Sequence, residues 1–455
     1  MIRYHAEWVL PVSGPPIRRG TVGVEAGRIA WIGPRAEAPH GEDDDLGEVI
    51  LMPGLVNAHC HLELTGMRGF LEDLDFGRWI TRLTAAKRAV YTLESLLDAA
   101  RFGVQEGIRA GVTTYADTCD SGVALEAMRD EGVRGFMYQE VFGPDPAQCE
   151  ASLSGLQAKM ARHRENETAR VRAGISPHAP YTVSDELFRA ATEYALAERL
   201  PMAIHIAEGE LEQELVTRGA GPFARGLERR GIAVRPRGES PVRMLEALGV
   251  LRARPLLIHC VRTDPADVAA IAGARCGVAH CPVSNAKLGH GIAPLAEWLE
   301  AGVAVGLGSD SMASNNRMDI LEEARLAALL QRARFGSHAL IDAAAAVELA
   351  TIGGARALGL EADIGTLEVG KAADLSAFHV ARRRPVQHPA DAVVYAITGA
   401  HAEFVCVEGQ VLLRNGALVN ESPGLAERVQ NTADALAQWL ADGGESRPMP
   451  VATDR

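Results

Sequence analysis

His59-Cys60-His61 sets two imidazoles on alternate residues. In an extended strand alternate side chains share a face, so both rings point one way while Cys60 points the other. Two nitrogens converging at the end of the apolar run Met52-Pro-Gly-Leu-Val-Asn-Ala58 invite a metal ion, although histidines at this spacing also occur by chance on surfaces. His205 and Glu208 stand in Met202-Ala-Ile-His-Ile-Ala-Glu208. A strand-terminal His can ligate a metal, and a partly dehydrated carboxylate beside it is suited to move a proton between water and substrate. The competing reading makes Glu208 the opening of a helix whose acidic run continues through Glu210, Glu212 and Glu214, favoured by the helix dipole. His259, in Leu256-Leu-Ile-His, and Asp310, in Val303-Ala-Val-Gly-Leu-Gly-Ser-Asp, end two further runs, and either alone could be a satisfied polar group of the core. Taken together, three His and one Asp as ligands, with a Glu and another His beside them, make a centre with room for water, the arrangement that generates hydroxide near neutral pH. Coincidence at so many strand ends is improbable, and the sequence predicts a catalytic metal centre.

The elements that must position these residues are eight short apolar runs, each followed by a polar or Gly-rich corner and a helical stretch. They span Val49 to His59, Val112 to Asp117, Arg134 to Glu140, Val171 to His178, Met202 to His205, Pro255 to His259, Gly277 to His280 and Val303 to Asp310. Continuous apolar strands alternating with helices predict a parallel sheet covered by helices, and eight such units predict a (β/α)8 TIM barrel over residues 53–360. An open doubly wound sheet is the competing layout. The polar residues that end nearly every run favour the barrel, which gathers all strand ends around one pocket. The chain ends read differently: Thr21 to Gly33 and Phe404 to Leu413 are both hairpin patterns. They predict a small β-sandwich domain assembled from residues 1–52 and 361–420, with β structure resuming at Gly365 to Leu375. Residues 343–360 read as a closing helix, and residues 421–455 as a C-terminal helix carrying Leu425, Val429, Ala433, Leu436 and Leu440 on one face, then a frayed tail from Gly443.

Composition narrows the class. The 455 residues are 47% hydrophobic and 23% charged, which excludes disorder and fibrous architecture. A net charge of −13 disfavours nucleic acid or an anionic membrane as partner and favours a small molecule. The seven cysteines form no C-x-x-C pair, which suggests neither disulfides nor a thiolate zinc site and fits a reducing cytoplasm. Charge interrupts the first residues and no apolar stretch approaches membrane-spanning length, so neither a signal peptide nor a span is expected.

Pro53-Gly-Leu-Val-Asn-Ala-His-Cys-His61, His205-x-x-Glu208, Ile258-His-Cys260, His280-Cys-Pro-Val-Ser-Asn285 and Gly308-Ser-Asp310 with Ser314-Asn-Asn316 resemble the amidohydrolase superfamily. More narrowly they are similar to its deaminase and chlorohydrolase branch, which includes methylthioadenosine and S-adenosylhomocysteine deaminases, triazine hydrolases and aminodeoxyfutalosine deaminase. The resemblance implies that His59, His61, His205 and Asp310 hold one divalent metal and that Glu208 and His259 are catalytic. Dinuclear members use a modified Lys or a Glu from the middle strands, whereas this chain has only four lysines and its fourth run ends in Ser176-Pro-His178. A mononuclear centre is implied, with zinc suited to the ligands and iron the alternative. The implied chemistry is attack of activated water on an electron-poor aromatic carbon. Glu208 would move a water proton to the ring nitrogen, His259 would orient the nucleophile and Asp310 would pass a proton to departing ammonia. A cytoplasmic homodimer is the expectation from such relatives.

Glu63, Glu140 and His178 are the expected substrate-binding residues, the two acids hydrogen-bonding ribose hydroxyls or a ring N–H or else serving as helix-start carboxylates. Gly219 to Phe223 and Leu288 to Gly291 supply loops that could fold over a ligand, and neither has the glycine spacing of a phosphate cradle. The resemblance points to hydrolytic deamination of an adenine nucleoside derivative, most sharply aminodeoxyfutalosine in menaquinone synthesis, whose benzoate would meet Arg68 or Lys287. A chlorohydrolase or a guanine- or pterin-type deaminase is the alternative.

Overall fold

The computed structural model describes residues 1–337, 341–397, 399 and 401–446. Five strands come first: β1 (Ile2–Val9), β2 (Ile17–Glu25), β3 (Arg28–Pro34), β4 (Glu42–Asp45) and β5 (Val49–Pro53). Next come β6 (Leu55–His61), β7 (Val112–Cys119), β8 (Arg134–Val141), β9 (Val171–Pro177), β10 (Ala203–Ile206), β11 (Leu256–His259), β12 (Gly277–His280), β13 (Ala304–Leu307) and the two-residue β14 (Asp310–Ser311). The last four are β15 (Leu375–His379), β16 (Phe404–Val407), β17 (Gln410–Arg414) and β18 (Ala417–Leu418).

The middle of the chain is an α/β fold of parallel strands. One sheet runs β14-β6-β7-β8-β9 and another β10-β11-β12-β13, every neighbour parallel. A bridge between Ile175 and Met202 links β9 to the start of β10. Strands β7, β8 and β11 are buried at every position, as expected of strands covered on both faces. Each fully buried Ile, Leu or Val stabilises the fold by about 1.5–3 kcal/mol, so these runs dominate the core.

Both chain ends enter a single nine-stranded sheet, ordered β18-β17-β16-β15-β5-β1-β2-β3 with β4 beside β1. The two ends meet where β15 pairs antiparallel with β5. The run expected as one strand, Val49 to His59, is therefore two: β5 belongs to this sheet and β6 to the parallel one. The division falls at Pro53-Gly54, where proline removes a ladder donor and Gly54 has no room for a side chain, a Cβ there lying 2.2 Å from Thr113 Oγ1. Residues 365–374, expected as β structure, carry no strand before β15 begins at Leu375.

The closing helix appears as Ala343–Glu348, a π segment Leu349–Gly353 and Gly354–Ala357 in succession. The C-terminal helix Leu425–Ala441 buries Leu425, Val429 and Leu436, and Trp439 packs near Phe70, with ring centroids 6.4 Å apart. From residue 447 onward the expected tail lies outside the described residues. No helix among the described residues is long and apolar enough to cross a membrane.

Candidate active site

The carboxyl ends of the parallel strands converge on one set of polar side chains. His59 and His61 leave β6 on the same side, with ring centroids 4.8 Å apart, and His205 from β10 stacks on His61 at 5.3 Å. His61 Nε2 is 3.3 Å from His205 Nε2. Asp310 Oδ1 lies 3.4 Å from His59 Nε2 and 3.6 Å from His61 Nε2. His259 stands behind, its ring 5.7 Å from those of His59 and His205. Its Nε2 is 3.6 Å from Glu208 Oε1, and its Nδ1 is 3.1 Å from Asn285 Oδ1.

The backbone is bent to allow this. Ala207, His259, Cys260 and Asp310 all have positive φ, between 50° and 73°, a region non-glycine residues enter at a cost of about 1–3 kcal/mol each. The cost is offset locally. Glu212 accepts the N–H groups of Ala207 (2.9 Å) and Glu208 (2.8 Å), and Asp310 Oδ1 accepts its neighbour Ser311 N–H at 2.7 Å. Asn57, from the Pro53 to His61 string, ties β6 to the turn between β13 and β14 by exchanging hydrogen bonds with Ser309. Gly308 is obligatory: a Cβ there would lie 2.9 Å from the backbone N and O of His59.

These residues fit a divalent cation. Both ring nitrogens of His59 are buried without a hydrogen-bond partner, a costly state unless a ligand occupies one of them. His61 and His205 turn Nδ1 toward the carbonyls of Thr118 (2.7 Å) and His178 (3.3 Å), which fixes the tautomer that aims each Nε2 lone pair inward. Burial holds His59 below the ordinary imidazole range, His61 down to about 3 and His205 well below it, so the three are neutral donors at pH 7. Burial pushes the Asp310 carboxyl up, but the adjacent imidazoles of His59, 3.4 Å away, His259 and His61 outweigh it and keep the group ionised. Ser284 Oγ (2.5 Å) and Ser314 Oγ (3.2 Å) donate to the second oxygen, Oδ2.

The cluster lines a cavity of about 680 Å³ whose wall includes His61, His205, Glu208 and Asp310. The helix Phe76–Val90 turns Phe76, Trp79, Leu83 and Lys87 toward it from one face. Its start is fixed by Asp75, whose carboxylate accepts Arg78 N–H at 3.0 Å. Glu63, Glu140 and His178 all reach the wall, in different states. Each Glu63 oxygen already accepts one hydrogen bond, from Lys87 and from Ser121, which braces this part of the wall. Lys87 also binds Asp120 at 2.5 Å. Glu140 is the opposite case: Oε1 is buried with no partner, 3.9 Å from His178 Nε2, and burial raises its carboxyl well above the usual range. Glu140 therefore offers the cavity a buried carboxyl oxygen that no group among the described residues satisfies. His178, pushed down to about 4 by burial, is neutral, with Nδ1 2.8 Å from Thr182 Oγ1.

Arg68 and Lys287 lie outside the wall and are spent on Glu106 and Glu72. The cations that do line the cavity are Lys87 and the exposed Arg88 and Arg230, and the two arginines have no ion pair among the described residues. Sequence reasoning missed Lys87, both arginines and the aromatic wall of Phe76, Trp79 and Tyr181. The available signal was the apolar face of the Phe76–Val90 segment together with the rarity of lysine, one of only four in the chain.

Residues 50–412 match the model of the amidohydrolase family. A 5-methylthioadenosine/S-adenosylhomocysteine deaminase of Moorella thermoacetica is 34% identical over 423 residues, covering 90% of this chain and 93% of that protein. A 5′-deoxyadenosine deaminase of Methanothrix thermoacetophila is 32% identical over 91% of this chain and 95% of its own length. Among solved structures, a zinc-bound adenosine deaminase of Xanthomonas campestris superposes with a TM-score of 0.86 at 26% identity, covering 96% of this chain and 98% of that one.

Proposed function

The chain belongs to the amidohydrolase family and is a hydrolase acting on carbon–nitrogen bonds, and from that premise we propose that it deaminates an adenine nucleoside derivative, releasing ammonia. The observation that carries this reading is Glu208. Burial pushes its carboxyl up, His259 and His290 outweigh that, and the result is an ionised base below the ordinary carboxylate range at the wall of the cavity.

His59, His61, His205 and Asp310 would hold one divalent ion, most naturally zinc given three imidazoles and a carboxylate, with iron the alternative. When bound, such an ion lowers the pKa of a water ligand toward neutrality. Glu208 then takes the water proton on its carboxylate and delivers it to the ring nitrogen beside the reacting carbon. His259, whose Nδ1–H is directed to Asn285, keeps Nε2 turned toward Glu208 and orients the incoming oxygen. Asp310 would take the remaining proton of the attacking oxygen and pass it to the leaving amine, which departs as ammonia. Glu140 hydrogen-bonds a polar group of the substrate, and Trp79, Phe76 and Tyr181 pack against its flat and apolar parts.

The matched relatives act on adenine nucleosides altered at the 5′ position, which supports a substrate of that class. The sharper version, aminodeoxyfutalosine in menaquinone synthesis, requires a cation for its benzoate, and the unpaired cations of the wall are Arg88 and Arg230. We also read β6 to β14 as closing into one (β/α)8 barrel over residues 53–360, with the terminal sheet as the β-sandwich unit. The Ile175–Met202 bridge and the pairing of β14 with β6 support this.

Replacing Glu208 by Gln is expected to leave metal loading intact and to lower kcat by about 10²–10⁴. Near-wild-type turnover by Glu208→Gln would remove the proton-shuttle role.

A further inference from the structure

Glu208 has a second histidine neighbour that the mechanism above does not use. His290, in the loop after β12, is 5% exposed, and its Nε2 lies 3.3 Å from Glu208 Oε1. That nitrogen is buried and makes no hydrogen bond among the described residues, so its donor is unspent and the Glu208 oxygen is at contact distance. The ring is wedged edge-on against Phe76, with centroids 4.9 Å apart at 79°. Its backbone N–H donates to Asn285 O at 2.9 Å, and the Asn285 side chain receives His259 Nδ1. One residue thus anchors both imidazoles that approach Glu208. The wedge also depends on Gly209, because a Cβ there would lie 2.7 Å from His290 Nδ1.

A carboxylate that gains and loses a proton in each turnover works from one oxygen only if the other is held. Around Glu208 stand His259 from β11, Asp310 from β14, His59 from β6, His178 and Tyr181 after β9, and Glu212 from its own helix. Of these, Glu212 meets the backbone N–H rather than the carboxylate, and His259 lies 3.6 Å from the same Oε1, farther than His290. We propose that His290 is a positioning residue for Glu208, its Nε2–H holding Oε1 so that Oε2 faces the substrate. The inference rests on Glu208 being the proton shuttle.

The test compares zinc-loaded wild type, His290→Leu and His290→Gln on an adenine nucleoside that the wild type turns over. Loss of an N–H donor raises the carboxyl's pKa, so the acidic limb of the kcat profile moves to higher pH in His290→Leu, by about one unit, with kcat down roughly tenfold and KM nearly unchanged. Gln restores an N–H at similar reach and returns most of both. Gly209→Ala displaces the same ring without deleting it and gives the same loss, which keeps the test open if the Leu variant does not fold. An unmoved limb with unchanged kcat in His290→Leu, or Gln as impaired as Leu, overturns the proposal. A crystal structure of zinc-loaded His290→Leu decides the point without substrate: the Glu208 carboxylate leaves its wild-type position, and an unmoved carboxylate overturns the proposal. Wild-type silence toward adenine nucleosides would sink the deaminase reading separately and leave that crystallographic comparison to judge His290.

Discussion

Removing the Ser284 hydroxyl tests whether Asp310 is built as a ligand. In the structure Asp310 Oδ2 accepts from Ser284 Oγ at 2.5 Å and from Ser314 Oγ at 3.2 Å, while Oδ1 accepts the Ser311 N–H and faces the histidines. The Ser284 contact falls in the short range of hydroxyl-to-carboxylate bonds, worth about 2 kcal/mol when one partner is charged. Ser314 is longer, donates to Ser311 O as well, and accepts from the Ser284 hydroxyl at 2.9 Å. Because roughly 1.4 kcal/mol is a factor of ten, Ser284→Ala should weaken metal affinity about thirtyfold, and Ser314→Ala by no more than about fivefold. Asp310 is held well below the ordinary carboxylate range and stays ionised from pH 6 to pH 8, so the loss is of similar size at both. Zinc affinity is read by competition against a chromogenic chelator at both pH values, with circular dichroism to verify folding. A Ser284→Ala protein binding zinc within twofold of wild type, or a Ser314→Ala protein weaker than it, would refute the reasoning.

Four further outcomes are expected. Glu140→Ala should raise KM about tenfold, because a buried carboxyl whose Oε1 has no partner among the described residues is lost as a substrate contact, whereas the isosteric Glu140→Gln should lose less; steady-state kinetics in which neither variant changes KM would count against that contact. Gly308→Ala should lose stability by about 1–3 kcal/mol and with it zinc loading, since the added methyl meets His59 backbone; chemical denaturation and metal analysis check both. Asp117, raised by burial to about 7, holds a proton in the folded state that the unfolded chain releases near its ordinary value of 3.8. Its contribution to stability is therefore complete at low pH and lost as pH rises through 7, so Asp117→Asn should flatten the fall in Tm of chelated protein between pH 5 and pH 8. Chelated protein should be inactive and should regain thermal stability on zinc addition, by about 4 kcal/mol at a thousandfold excess over Kd; a Tm indifferent to zinc would argue against the centre.

The strand ends were legible because their chemistry is local. His59, His61, His205, His259 and Asp310 each terminate an apolar run, and the run places them. The first boundary was less so: Val49 to His59 reads as one apolar stretch, and only the pairing of β5 with β15, more than three hundred residues away, shows that half of it belongs elsewhere. Pairing at that distance has no local signature. The same limit hid the substrate side. Glu63 is visible as an acid just after the histidine pair, but its capture by Lys87 and Ser121 is a tertiary fact, and so is the buried, unpartnered oxygen of Glu140. His290 was noticed only as part of a glycine-rich loop; its approach to Glu208 follows from how that loop folds over Gly209.

The central claim is hydrolytic deamination at this centre, and ammonia release tests it most directly. Zinc-loaded protein is assayed against methylthioadenosine, S-adenosylhomocysteine, 5′-deoxyadenosine, adenosine and aminodeoxyfutalosine, with guanine and a chlorotriazine as outgroups. Rapid ammonia release from at least one adenine nucleoside, abolished in Glu208→Gln, is the predicted result. Protein shown to contain zinc that releases ammonia from none of the adenine nucleosides would contradict the account.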